Sequence, residues 1–255
     1  MQEIKLCELE NWIEEKAPCI VVGEPCESLY ALQQTGVAVL AELRHLQGLP
    51  DDEVAEALCR EAAVQQYKHV CIHAALLPQA YLRRVWCQMQ NIPVLIAETE
   101  CLVIRESVIE DAAAFEELYR DAACRKYLEL PPVEDYQQYI RDYQNGQYAF
   151  WEYGMWTLIE KESGTIVGRA GLENQEIEGE GKELLLGLGY AILPQFRGRG
   201  YAVEACRAIL EYCRECEYAD RVIVRVHKEN LASRVVFERL QPSACLPLIL
   251  KQIES

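Results

Sequence analysis

The chain has 255 residues, 25 basic and 41 acidic, for a formal net charge of −16; at roughly 100–150 residues per domain, that length predicts two domains. Its composition, 51% hydrophobic and 26% charged, is that of a globular protein able to bury a core. Up to position 100 there are 7 basic and 15 acidic residues, and 18 and 26 after it, so each part carries −8; no basic run exceeds two residues, which excludes nucleic acid as a default partner and weakly favours a cationic one.

The N-terminal Met1-Gln-Glu-Ile-Lys shows no basic region followed by an apolar one, so no secretory signal is expected. From there the first hundred residues alternate. Residues 17–23 (APCIVVG) form a short apolar run ending in a turn, and residues 26–34 read as a helix with Gly36 as its C-cap. Residues 37–43 are a second strand, residues 50–63 an amphipathic stretch, residues 70–74 a third strand, residues 79–90 a helix and residues 94–98 a fourth strand. Strand and helix in that rhythm predict βαβ units and a small parallel sheet over residues 1–100. Its first strand-to-helix turn, Gly23-Glu24-Pro25-Cys26, lacks the glycine spacing of a dinucleotide loop.

Residues 101–255 read as a second domain of mixed α/β pattern. Ser107-Val108-Ile109-Glu110 fits a capping box opening a helix through about Tyr119. Residues 133–145 read as a helix ended by Gly146. Strands at 156–160 and 166–172 flank a hairpin turn at Glu162-Ser163-Gly164, and residues 179–181 form a polar loop. Residues 184–193 are the most apolar strand; at ten residues they are half of the roughly 20 a membrane helix needs. A helix at 201–217, a strand at 222–226, a helix at 230–240 and a last strand within 245–253 complete the order.

The twelve cysteines form no spaced framework and sit largely in apolar segments, as in Val70-Cys71-Ile72, which suits buried thiols in a reducing cytoplasm. The lone Cys213-x-x-Cys216 has no second pair and no nearby His pair, so no metal site is expected.

The segment that carries chemistry is Leu193-Pro-Gln-Phe-Arg197-Gly198-Arg199-Gly200-Tyr201-Ala202, between an apolar strand and a long helix. Two glycines entering a helix N-terminus let several amides converge, the helix dipole adds about half a positive charge, and Arg197 and Arg199 add more. This is the pattern of a pyrophosphate cradle. The alternative is a plain glycine-rich turn.

Here the sequence resembles the GNAT superfamily of acetyl-CoA-dependent N-acetyltransferases. Gln195, Gly198 and Gly200 match its Gln/Arg-x-x-Gly-x-Gly/Ala motif, Asn230 to Phe237 is similar to its Asn-x-x-Ser helix, and Gly168 to Leu172 with Gly189-Tyr190 resemble the central strands of the branch that acetylates ribosomal-protein N-termini. The likeness covers about the last 155 residues. It implies a GNAT-type mixed sheet splayed between residues 184–193 and 222–226, with acetyl-CoA as co-substrate in the split. Ala191, Ile192 and Leu193 would pair with the pantetheine arm, the amides of Arg197, Gly198, Arg199, Gly200, Tyr201 and Ala202 would hold the pyrophosphate, and Asn230 and Ser233 would face the thiol end. Residues 23–43 distantly resemble a late segment of haloacid-dehalogenase-like phosphatases, but that family's nucleophilic Asp-x-Asp occurs nowhere in the chain. A recognition or scaffolding role is expected for that domain.

The family's helical Tyr that protonates the leaving thiolate corresponds to Phe237, and its strand Glu before the Gly-Tyr to Gly187. Glu173 and Glu183 are then the nearest candidates for general base, with Tyr190 and His227 as further candidates. Tyr136, Tyr139, Tyr143, Tyr148, Phe150, Trp151, Tyr153 and Trp156, with Glu134, Asp135 and Glu152, would make a wall suited to a cationic amine. The reading is direct acetyl transfer to a primary amine, on a small molecule or a peptide N-terminus, without nucleic acid or membrane as partner. A CoA-binding module without turnover is the alternative.

Overall fold

Short β-branched runs punctuated by glycine build the N-terminal sheet of the computed structural model, which describes residues 2–5, 19–60, 66–77, 79–90, 92–128, 133–148, 151–177, 183–241 and 244–253. The chain divides into two units, Met1–Val94 and Leu95–Ser255. In the first, β1 (Gln2–Lys5) runs antiparallel to β2 (Cys19–Gly23). Helix α1 (Glu27–Gln34) leads to β3 (Val39–Glu42), and α2 (Asp51–Arg60) to β4 (Val70–Cys71), followed by α3 (Gln79–Met89). The sheet order is β1-β2-β3-β4, with β2, β3 and β4 parallel, as the alternating pattern predicts. Gly36 takes φ +84, a conformation glycine adopts at little cost. It lets the chain leave α1 and return as β3, so that Leu29 packs with Val39, Ala41 and Leu43.

The strand expected at residues 94–98 forms, as β5 (Leu95–Glu98), but in the second unit. It pairs antiparallel with β6 (Leu102–Arg105). The physical reason is the connection: Thr99 donates its amide to the Leu102 carbonyl at 2.9 Å, closing a tight turn. A tight turn joins antiparallel strands, whereas a parallel pair needs a long crossover.

The second unit continues with α4 (Ala112–Arg120), α5 (Ala122–Tyr127), α6 (Tyr136–Tyr143), β7 (Met155–Glu160), β8 (Ile166–Ile177) and β9 (Glu183–Ile192). It ends with α7 (Tyr201–Glu215), β10 (Val222–His227), α8 (Leu231–Leu240) and β11 (Leu248–Ile253). Seven strands lie in the order β11-β10-β9-β8-β7-β6-β5, antiparallel from β5 to β9 and parallel among β9, β10 and β11. The hairpin at Glu162-Ser163-Gly164 forms, with Gly164 at φ +66. The polar loop at 179–181 lies outside the described residues.

Two local expectations change. The capping box does not use Ser107 and Glu110; Asp111 Oδ2 instead accepts from the Val108 amide at 3.0 Å. Ser107 is buried, and its hydroxyl serves Tyr148 and Thr157 from the sheet side. Gly146 does not end α6 either: the chain passes through it in a wide π-helical turn, Gln144–Tyr148. Tyr148 thereby becomes buried against Tyr143. Trp156, Leu158, Ala170 and Leu172 are fully buried along the centre of the sheet, where each large apolar side chain contributes about 1.5–3 kcal/mol. Among the described residues, no helix is long and apolar enough to cross a membrane.

Candidate active site

Strands β9 and β10 begin as neighbours and then part. Their ladder holds only two register pairs, Val222 with Leu186 and Ile223 with Gly187. Beyond these, Leu188 to Ile192 on one side and Val224 to His227 on the other line a cleft of about 570 Å³. On its far edge β9 keeps full register with β8, from Gly168–Ile192 to Ile177–Glu183. The split is therefore a feature of one ladder, and it exposes a strand edge toward the cleft.

The glycine loop closes the wide end. Gly198 and Gly200 have φ +80 and +92, with no atom within 4 Å of where a Cβ would stand. Gly200 is the N-cap of α7, and its carbonyl already accepts from Val203 and Glu204 at 3.0 and 3.1 Å. The amides of Gly198 through Ala202 have no backbone acceptor among the described residues, as the unmet first turn of a helix requires. They stand at the positive end of a 15-residue helix, where free amides and the helix dipole are chemically suited to an anion.

The two arginines of the loop behave differently from free charges. Arg197 donates through Nε to the Ile192 carbonyl at 2.9 Å and pairs with Asp121 at 2.7 Å. Asp121 also caps α5, and its carboxyl is held below the usual range, first by the Arg197 hydrogen bond. Arg199 pairs with Glu160 at 3.3 Å and lies over the Phe196 ring at 5.0 Å. Tyr201 also donates to Glu160. Much of the positive charge that the sequence suggests is thus shared with Asp121 and Glu160, which leaves the backbone amides and the helix end as the less compensated positive feature of the loop.

At the other end, Asn230 caps α8 by accepting from the Ser233 amide at 3.1 Å. This aims the Ser233 hydroxyl back at β9, 3.1 Å from the Tyr190 phenol. Burial pushes the Tyr190 phenol up to about 12, offset in part by that hydrogen bond. Tyr190, Ala191, Ile192, Arg197, Gly198, Gly200, Tyr201, Ala202, Asn230 and Ser233 all line the one cleft. Leu193 and Arg199 do not; Leu193 is buried beneath the loop, at 2% exposure. His227 lines the cleft, with its Nδ1 accepting from the Glu229 amide at 3.2 Å and its ring 5.3 Å from Tyr127. Phe237 is buried in the wall and supplies no hydroxyl. Two cysteines not singled out from sequence, Cys124 and Cys206, also line it, their thiols pushed up to about 11 and 12 by burial.

Of the candidate bases, Glu183 opens β9, and its side chain lies outside the described residues. Glu173 is exposed on β8 and is the register partner of Gly187, with the Tyr143 hydroxyl 3.5 Å from its carboxylate. Directly opposed residues of an antiparallel pair point to the same face, so Glu173 projects on the face that a side chain at Gly187 would share.

The aromatic segment does not form one wall. Tyr139 and Tyr143 turn their faces to the guanidinium of Arg169, Tyr136 stacks on Tyr119, and Trp156 lies on the other face against Tyr212. Phe150 lies outside the described residues. Two of the faces expected to meet a cationic amine are therefore filled by a cation of the chain itself.

Residues 102–241, more than half of the chain, match the Acetyltransferase (GNAT) domain. The "Uncharacterized N-acetyltransferase p20" of Bacillus licheniformis is 26% identical over 137 residues, which are 53% of this chain and 75% of that protein. The "Uncharacterized N-acetyltransferase YjdG" of Bacillus subtilis (strain 168) is 27% identical over 85 residues, 33% of this chain and 48% of that protein. A solved acetyltransferase from Agrobacterium tumefaciens str. C58 is 22% identical, covers 56% of this chain and 81% of its own, and gives a TM-score of 0.48. Through residues 102–241, the chain belongs to the GNAT family of acetyltransferases.

Proposed function

We propose that the chain transfers the acetyl group of acetyl-CoA directly to a primary amine, on a small molecule or a peptide N-terminus, in the cytoplasm. The observation that carries this reading is the parted β9–β10 ladder with the amide nest of Gly198 to Ala202 at its wide end. Acetyl-CoA is the acyl donor of this acetyltransferase family. Its pyrophosphate would sit on the nest and its pantetheine arm along the free edge of β9, which brings the thioester toward Tyr190, Ser233 and Gly189.

The amine nitrogen attacks the thioester carbonyl, the C–S bond breaks, and the amine proton leaves to a base. Glu173 is the base we favour. The family's strand carboxylate is replaced here by Gly187, and Glu173 stands directly across the ladder from it. The departing thiolate takes a proton from the Tyr190–Ser233 hydroxyl pair, which stands where Phe237 offers none. Residues 1–100 have no part in this chemistry; a recognition or scaffolding role suits their parallel sheet. Free, buried thiols such as Cys206 and Cys213 support a reducing compartment.

The second reading, CoA binding without turnover, rests on Phe237. Following thiol release from acetyl-CoA against a panel of amines and peptides separates the two. Release with at least one acceptor is the expected result. Binding of acetyl-CoA with no release on any acceptor favours the silent module, and a folded protein that binds neither acetyl-CoA nor CoA overturns both.

A further inference from the structure

Acyl transfer as described makes no use of the buried charge of Arg169. Arg169 of β8 is 1% exposed. Its neighbours Ala170 and Leu172 face α7, where the cross-strand row Trp156–Ala170–Tyr190 meets Tyr212. By strand alternation Arg169, Gly171 and Glu173 share the opposite face. There the Arg169 guanidinium lies 4.4 Å from the Phe115 ring centroid, 5.3 Å from Tyr143, 5.7 Å from Tyr139 and 6.0 Å from Tyr119. It donates to the Tyr119 and Tyr139 hydroxyls and, at 3.0 Å, to the Met155 carbonyl. Its Nε has no partner, and no carboxylate among the described residues pairs with it.

Buried cations are ordinarily matched by an anion, because an unmatched charge is costly to desolvate. Rings, phenols and one carbonyl spread this charge but do not cancel it, and a guanidinium cannot shed its proton. The charge also stands beside the reacting centre. In the ladder Arg169 pairs with Ala191 and Gly171 with Gly189, and both partners line the cleft. Since α7 fills the other face, an acceptor reaches a thioester near Gly189 from this one. Along it lie Arg169, Gly171 and Glu173. Glu173 is exposed, whereas the Gly154–Met155 backbone covers Gly171 and aromatic rings cover the Arg169 guanidinium, so its charge acts on an acceptor at a distance and not by contact. An amine at Glu173 therefore has a fixed positive charge on its other side.

We infer that Arg169 determines acceptor specificity, selecting a primary amine carried on a molecule with a nearby carboxylate and rejecting polyamines. A free amino acid and the N-terminus of an acidic peptide share this chemistry. The inference rests on the acyl-transfer reading and names its substrate class. At an effective dielectric constant near 20, a unit charge about 10 Å away changes affinity by roughly tenfold.

The test compares kcat/KM for matched acceptors with the full chain and acetyl-CoA. One arm pairs aspartate, glutamate and glycine, which carry a carboxylate beside the amine, with ethanolamine and spermidine, which carry none; the other pairs peptides with an acidic or a basic second residue. The expected result is roughly tenfold preference for the anionic member in one arm, which also identifies the source. Arg169→Gln should bring that ratio close to one, and Arg169→Lys should retain most of it, with CoA affinity unchanged in both. A merely structural role would lower all acceptors together and leave the ratio alone. Wild-type preference for spermidine or basic peptides overturns the inference but leaves acetyl transfer standing, even if Arg169→Gln does not fold. Equal ratios in the wild type and both variants overturn it as well, whereas no turnover on any acceptor overturns the acyl-transfer reading beneath it.

Discussion

The two units each build parallel strands with helices between them, yet among the described residues the cleft in a parted ladder belongs to the second unit. In the N-terminal unit β3 hands over from one neighbour to the other, pairing with β2 from Val39 to Ala41 and with β4 at Ala41 and Glu42. Past its end Leu43 still donates to the Cys71 carbonyl at 2.8 Å, and Glu42 is satisfied by Arg44 and the Ala74 amide. In the C-terminal unit β9 and β10 share two register pairs and then separate, leaving a strand edge, a helix N-terminus and a hydroxyl pair facing one space. On the proposed reading, what turns a parallel sheet into a binding site is an interrupted ladder together with a loop whose glycines leave amides unspent.

That contrast is broken most directly at its chemical centre. Glu173→Gln keeps shape and removes the basic oxygen, so kcat should fall at least about a hundredfold, the lower bound for losing a positioned base. CoA affinity, measured by calorimetry, should not change. An unaltered kcat would move the base to another group. Next comes Gly200→Val. Its φ of +92 leaves space for a side chain but suits no β-branched residue. The turn must rearrange and misdirect the amides, and CoA should bind about thirtyfold more weakly, while the melting temperature falls by only a few degrees. A dissociation constant that stays the same would mean the loop is not the phosphate site.

Much of this site can be read from the sequence because it depends on local chemistry. Gly198 and Gly200 announce a left-handed turn before a helix, and Asn230 with Ser233 announces a cap. What sequence does not convey is partnership across the fold. Arg197 and Arg199 look like free cations until Asp121 and Glu160, 76 and 39 residues away, are brought beside them. Arg169 reads as an ordinary strand residue; only the packing of α4 and α6 encloses it among aromatic rings. The strand at Leu95–Glu98 has the composition of its N-terminal neighbours, and a three-residue turn, Thr99-Glu100-Cys101, sends it to the other sheet.

The closed N-terminal ladder makes its own prediction, of stability and not of binding. Burial, with the Lys68 charge adding to it, pushes the His69 imidazole down to about 4, against about 6.5 in an unfolded chain. Between those values the unfolded state binds the extra proton, so this unit loses stability as pH falls from about 6.5 toward 4 and gains nothing further above 6.5. At pH 4.5 the contribution is about 2 kcal/mol. Amide exchange of β3 in the wild type and in His69→Gln, at pH 7 and 4.5, isolates it. Equal acid sensitivity in both proteins would assign the loss to carboxylates instead.

The smallest effect concerns the leaving group. A thiol has an ordinary pKa near 8.5, so a thiolate can depart without a proton and needs little acid assistance. Tyr190→Phe should therefore lower kcat by only about threefold, far less than the loss of a positioned base. Phe237 stands in the same cleft wall on α8, so Phe237→Tyr in the Tyr190→Phe background offers a hydroxyl from the helix in place of one from the strand. Recovery of the lost rate would mean that the fold tolerates either source of the proton and that Tyr190 supplies it in the natural chain. A double variant no faster than the single one would give the proton to solvent, and the 3.1 Å Tyr190–Ser233 hydrogen bond would then serve to hold α8 against the free end of β9.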